Sequence, residues 1–349
     1  MQRKLASIQR VKNVVPIYHP ADGTLTSLDL ILFEDIAWQC VAKRDEFAPG
    51  DLAVYIEISS VLPEHPVFEF LRSKKFKVKT VRLCGQLSQG LALPVNVLTE
   101  FPGLLKADYA VGDDVTDKIG VTRYEPPVEV KINGGGAYRP FPEFIPKTDE
   151  LRIQSIPHIL NLFEGQGVIA TLKHDGTSAT YFYDVETDSI RVCSRNTEKM
   201  EKDDSVYWQV LDLQPEIEAY CRQFPSYVLQ GEITGPGIQK NRMGRKQLRF
   251  TAFNIFDRDI ADYVPHAFAS VHCELYGVPF VEEIEEWDEF SGETVESILK
   301  LAEGKYPGTE NEREGIVLRL LFEDKFSYEF GSRVSCKAIN NRYLESGGE

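Results

Sequence analysis

The run Val168-Ile169-Ala170-Thr171-Leu172-Lys173-His174-Asp175-Gly176-Thr177 sets an apolar strand directly against a lysine, a carboxylate and a glycine. A strand end holds an amine in a partly dry place, a glycine lets the chain turn sharply, and an aspartate can orient the water shell of a metal ion. Desolvation and neighbouring cations lower a lysine's pKa from about 10.4, leaving part of it neutral and nucleophilic. Strand alternation would point His174 away from that amine, which makes it structural. Lys-x-Asp-Gly alone is a string that chance supplies often; its weight comes from its company.

That company follows in a fixed order. A hairpin over 177–183 and 190–196 carries Arg195 just beyond its second strand. Residues 204–224 read as helical, with Trp208, Leu211, Tyr220 and Phe224 at core spacing and Pro215 as the point where the helix kinks or splits. The run 227–237 reads as a buried strand delivering Glu232 into a glycine-rich turn, and another buried strand over 248–257 carries Phe253. Helices are expected near 264–276 and 291–303. The last β elements bring Glu314, in Glu-Gly-Ile-Val-Leu-Arg, and finally Lys337.

Upstream the pattern changes. Residues 5–100 read as short strands separated by turns, among them 28–33, 37–42 and an alternating run over 52–58 entered through Pro49-Gly50-Asp51. Phe76 and Val78 alternate with Lys75, Lys77 and Lys79, a strand with one apolar and one basic face. About five strands with little helix point to a small β-barrel. From 104 to 145 the pattern loosens through Asp113-Asp114, Pro126-Pro127 and Gly134-Gly135-Gly136, so a linker or surface loop region is expected there. The expected division is therefore 1–103, 104–145 and 146–349.

A chain of 349 residues with 42% hydrophobic content supports two domains. It has no apolar run long enough for a membrane span and no apolar segment behind its charged start to make a secretory signal. Six cysteines without a Cys-x-x-Cys pair argue against a zinc site or disulfide framework and for an intracellular, reducing compartment. The net charge of −15 speaks against broad nucleic-acid binding but leaves room for local basic tracks. Two such tracks stand out, over 72–82 and 240–249.

These residues carry a resemblance. Gly50-Asp51, Tyr55-Ile56, Ser60-Val61-Leu62-Pro63, Arg82-Leu83 through Gly85, and Ser88-Gln89-Gly90-Leu91 are similar to the OB-type barrel that precedes the catalytic domain in one group of RNA ligases. The motif order over 147–345 resembles the covalent lysine nucleotidyltransferase superfamily of ATP-dependent ligases and capping enzymes. The resemblance implies an α+β protein: an amino-terminal OB-type barrel, then a nucleotidyltransferase domain of antiparallel sheets with flanking helices. It implies an ATP-dependent RNA ligase using ATP and Mg²⁺, with Mn²⁺ as a substitute. Its partner would be RNA with 3′-hydroxyl and 5′-phosphate ends, ends at a nick in a duplex included; no membrane and no obligate protein partner is implied.

By the same resemblance Lys173 is the nucleophile and Lys337 contacts the α-phosphate. Asp175, Glu232 and Glu314 hold the metal largely through its waters. Arg195 engages a phosphate or the ribose region, Phe253 stacks on adenine, and Leu172 lies at the nucleotide. Two positions depart from the pattern: Ser335 stands where a lysine is frequent, with Arg333 as a candidate replacement charge, and Asn254 stands where an aspartate is frequent. The alternatives are an RNA-binding protein with an inactive nucleotidyltransferase domain, a capping guanylyltransferase or a DNA ligase. The last two usually carry the barrel after the final motif, where this chain has a dozen residues beyond Lys337.

Overall fold

The computed structural model describes residues 3–101, 109–124, 136–323, 325–327 and 332–347. It divides into two compact units: Met1–Pro126 with Ile153–Pro157 and Leu344–Glu349, and Pro127–Arg152 with His158–Tyr343. Among the described residues no helix is long and apolar enough to cross a membrane.

In the first unit a five-stranded antiparallel sheet runs in the order Gln39–Lys43, Leu25–Phe33, Ala6–Tyr18, Leu52–Ile56, Leu91–Pro94. The 13-residue strand Ala6–Tyr18 serves two partners, Leu52–Ile56 along its first half and Leu25–Phe33 along its second. Register shifts between Val11 and Asn13 and between Pro16 and Tyr18 are the irregularities that bend such a strand and curl its sheet. Ile8, Val11, Ile31, Val54 and Tyr55 are buried by this curling. The result is the expected OB-type fold.

The basic strand expected over 75–79 is cut down to Lys77–Val78. Residues Pro66–Lys74 form a 3₁₀ helix with Phe68 buried beneath it, and Lys75 and Phe76 then turn through left-handed conformations, at φ 53° and 56°. The polar–apolar alternation therefore spans a turn. Arg72 pairs with Glu69 at 2.6 Å and Glu64 at 3.2 Å, and the Lys77 amine lies 3.3 Å from the centre of the Tyr124 ring. Within the stretch expected to link the domains, Val115, Ile119 and Val121 are buried and the Val115 N–H donates to Ala6. Pro126-Pro127 and Gly134-Gly135 lie outside the described residues.

The second unit holds two antiparallel sheets. The larger runs Tyr138–Pro140, Thr197–Lys199, Ser189–Ser194, Thr177–Asp184, Tyr227–Thr234, Arg249–Asp257, Asp262–Tyr263. The smaller runs Glu283–Trp287, Val168–Lys173, Gly315–Leu320, Ser335–Ile339. Helices cover one face of the larger sheet, where Tyr181, Leu229, Phe250 and Ile255 pack on Tyr207 and Ile217. Pro215 does split the expected helix, into Val206–Leu213 and Pro215–Gln223, because it opens a new first turn that needs no N–H. Helices His266–Leu275 and Val295–Ala302 fall where expected, the second opened by a reciprocal Thr294–Ser297 capping box.

Candidate active site

Register decides which side chains can meet. Directly paired residues of a ladder share a face. In the smaller sheet Lys337 pairs with Val317 and Val317 with Thr171, while Lys173 pairs with Gly315. Lys173, two places beyond Thr171, therefore shares its face with Lys337. In the same way Arg319, paired with Ile169 and Ser335, lies on that face. In the larger sheet Gln230 pairs with Asn254 and Glu232 with Thr251, on the face without helices. Arg319 Nη1 donates to Asn254 Oδ1 at 2.7 Å, so the two faces meet. The site lies between two antiparallel sheets.

Lys173 Nζ is 2.8 Å from Glu314 Oε1, and both side chains are largely buried. Burial alone would push the amine's pKa down, but Glu314, Glu232 and Asp175 outweigh it and hold Lys173 above the ordinary lysine value. This corrects the expectation of a partly neutral amine: a carboxylate-lined cavity favours the ammonium form. The carboxyls feel the converse. Burial, with Glu314 adding to it, pushes Asp175 up to about 6 against the pull of Tyr343, Arg242 and Lys173. Burial pushes Glu232 up to about 8, opposed by Lys173 and reinforced by Glu314 and Asp175.

Two glycines make this crowding feasible. A Cβ on Gly176 would lie 2.4 Å from the Ile233 carbonyl oxygen and 2.7 Å from Glu232 Cγ. Gly315, at φ +151°, would set one 2.1 Å from the Ala338 carbonyl oxygen. Both are sites of close backbone approach that only glycine permits.

Asp175 is 7% exposed and held on both oxygens. Tyr343 donates its hydroxyl to Oδ1 at 2.9 Å, and Arg242 Nε is 3.5 Å from Oδ2 while its guanidinium lies over the Tyr343 ring. The Tyr306 hydroxyl donates to the Lys173 carbonyl at 2.9 Å and accepts the N–H groups of Asp175 and Glu314, each at 3.1 Å. Sequence reasoning missed Tyr306 and Tyr343, and saw Arg242 only as part of a basic run. His174 is structural as expected: buried, with Nε2 2.6 Å from Glu282 Oε2. Burial acts to raise Glu282, but the His174 hydrogen bond and charge outweigh it and hold that carboxyl at about 2.

The other expected residues divide. Arg195 pairs with Asp149 and its charge reaches Glu232. Phe253 is half-buried and occupies the extra position where the register slips between Gln230 and Gly231. Such bulges re-aim a side chain. Strand alternation turns the Leu172 side chain to the opposite face, where it packs with Met243 and Tyr306, so only its backbone borders Lys173. Among the described residues no three His, Cys, Asp or Glu side chains converge closely enough to hold a bare metal ion.

The two departures turn out to be linked. Asn254 Oδ1 accepts from Arg319 and, at 2.9 Å, from Arg333. Arg319 Nη1 also donates to the Phe253 carbonyl at 2.7 Å, and Nη2 lies 3.9 Å from Glu150, which in turn accepts the Ser335 hydroxyl. Arg333 is thus engaged by Asn254 and the Tyr263 ring.

This architecture has known relatives. A family model for an OB-fold domain matches residues 5–95, and one for RNA ligase matches residues 166–339. The Naegleria gruberi RNA ligase solved with pyrophosphate is 34% identical, with a TM-score of 0.82 over 99% of this chain and 98% of that one. Mutants of the same ligase solved with AMP and Mn, and with ATP and Mn, are each 32% identical, with TM-scores of 0.84 over 99% of this chain and all of theirs. No curated protein sequence matches the chain. Identity at this level along the whole length establishes the relationship: the chain belongs to the RNA ligase family.

Proposed function

We propose that the chain acts as an ATP-dependent RNA ligase in which Lys173 becomes adenylylated. The observation that carries this assignment is the Lys173–Glu314 pair at 2.8 Å, with Asp175 and Glu232 around it, at the end of a buried strand. Lys173 first gives up its ammonium proton to a neighbouring carboxylate or to water and then attacks the α-phosphorus of ATP. A P–N bond forms as the nitrogen sheds a second proton, the bond to the β-phosphate breaks, and pyrophosphate leaves with its electron pair. The 5′-phosphate of RNA then displaces the lysine and takes the AMP. Last, the 3′-hydroxyl of the second end attacks that 5′-phosphate, releasing AMP and a proton as the phosphodiester forms. Every step moves negative charge between phosphates, so catalysis is positioning and cation stabilisation. Lys337, on the same face as Lys173, would hold the α-phosphate; Phe253 would stack on adenine and Arg195 would meet the ribose or a phosphate.

The residues fit a hydrated divalent cation. The carboxylates are crowded enough that burial and mutual repulsion raise Asp175 and Glu232, which is the signature of a cavity short of positive charge. Oxygen donors of this kind suit Mg²⁺ or Mn²⁺ held through its waters. When bound, the ion would neutralise charge developing on the phosphates. It would also relieve the carboxylate field that keeps Lys173 protonated.

Labelling with ATP radioactive at the α-phosphate tests the assignment. A covalent label that survives denaturation, is absent with GTP and disappears in Lys173→Ala is the expected outcome. A folded protein that binds ATP and never labels would leave an RNA-binding protein on a silent ligase fold. Sealing assays on nicked duplex and single-stranded RNA with 3′-hydroxyl and 5′-phosphate ends then define the substrate.

A further inference from the structure

We propose that Tyr306 is the positioning residue that holds the nucleophile and its two carboxylates in one geometry. This rests on the reading of Lys173 as the adenylylated residue. A phenol has one hydrogen and two lone pairs, and here all three are committed. The hydrogen goes to the Lys173 carbonyl at 2.9 Å; the lone pairs take the Asp175 and Glu314 N–H groups at 3.1 Å each. All three partners are backbone groups of site residues. The side chain is 1% exposed, so water does not compete.

The place in the sheet explains the need. Lys173 and Gly315 form the last rung between their strands. Beyond that rung the chain turns away through Asp175 and Gly176 on one side, and arrives through Glu314 on the other. The ladder can offer the Asp175 and Glu314 amides nothing further, and buried amides without a partner are costly. The Tyr306 hydroxyl stands in for the missing rung. By fixing both backbones it also fixes the separation across which Lys173 Nζ meets Glu314 Oε1 at 2.8 Å. Tyr306 is itself pinned, its N–H donating to Asn311 and its carbonyl accepting from Thr309, while its ring packs on Leu172 and Met243.

A positioning role predicts a selective defect. In Tyr306→Phe the ring stays and only the hydroxyl goes. Single-turnover labelling of Lys173 by ATP should fall roughly ten- to a hundredfold, the scale of a small misplacement of reacting groups. ATP binding by calorimetry should hold, while sealing of RNA supplied already adenylylated at its 5′ end, which bypasses attack by Lys173 but still uses the Asp175 and Glu314 carboxylates, should fall far less than labelling does. Hydrogen exchange at the Asp175 and Glu314 amides should accelerate in the variant. Unchanged labelling overturns the proposal. So does a parallel fall of labelling, binding and sealing with a lowered thermal midpoint, which marks a scaffold residue. If the variant does not fold, exchange in the wild type decides: slow exchange at both amides supports the brace, and fast exchange at either overturns it. A wild type that never labels fails the ligase reading itself, an outcome distinct from all of these.

Discussion

Lys173 shows how much of a site is readable from residue types and where that reading stops. Lys173, Asp175, Glu232 and Glu314 could be picked out together because their order along the chain resembles that of a known superfamily, and the structure places their charges within reach of one another. The sign of the lysine's perturbation was not readable, because it depends on a balance of burial against three carboxylates that arrive from separate strands. Nor were Tyr306 and Tyr343, whose bonds to Lys173 and Asp175 span 133 and 168 residues and whose role is a hydroxyl that no local pattern marks. The balance is testable at this scale. Glu314→Gln removes the nearest negative charge, so Lys173 should become less protonated. Acylation of Lys173 by an amine reagent at fixed pH, followed by mass spectrometry, should speed up in the variant. Labelling by ATP should nevertheless fall by roughly a hundredfold, since cation stabilisation is lost. Unaltered acylation would mean that Glu314 does not govern the amine.

At the level of elements the readable features were those with short-range causes. Pro215 divided a helix because of its own ring, and the Gly-Glu strand end was evident from its apolar approach. The bulge at Phe253 was invisible because it depends on the register between two strands, and the network around Arg319 because its partners lie some 65 residues away in the chain. Asn254→Ala would strip Arg319 and Arg333 of a shared acceptor, and hydrogen bonds to charged groups are each worth about 1.5–3 kcal/mol. Chemical denaturation should register a loss of roughly 2–4 kcal/mol, while a loss under about 0.5 kcal/mol, typical of inert surface sites, would show the network to be slack. The same guanidiniums act on His266 at the start of helix His266–Leu275. Burial, then the charges of Arg319 and Arg333, lower its pKa to about 3. The folded value lies below the ordinary 6.5, so the unfolded chain binds the proton more readily. The stability this group contributes is complete above about pH 6.5 and is lost as the pH falls towards 3. At pH 5 the loss amounts to about 2 kcal/mol. His266→Asn should flatten the fall in stability between pH 7 and pH 5 by about that amount; identical pH profiles would contradict the buried, neutral histidine.

For the whole molecule, a net charge of −15 means that RNA must be met by local patches rather than by the overall field. The sequence marks one such patch as a basic track over 72–82 that includes a strand with a basic face at 75–79, and the structure redistributes it. Arg72 is neutralised by Glu69 and Glu64, Lys77 lies against an aromatic ring, and Arg82 pairs with Glu345. Lys74, Lys75 and Lys79 remain as exposed side chains on the OB-type unit. Composition counts charges without seeing which are already paired, which is why the strip looked stronger in sequence than it is in the fold. Single-strand contacts lower the logarithm of the binding constant by about 0.7 per phosphate for each decade of salt. If these three lysines each meet a phosphate, replacing all three by alanine should reduce the salt slope of RNA binding by about 2. ATP labelling of Lys173 in the other unit should stay at the wild-type rate, because that step requires no RNA. A slope unchanged by the triple substitution would move the RNA track off this face of the OB-type unit and onto the loop over 240–249, whose Lys240 and Lys246 are exposed.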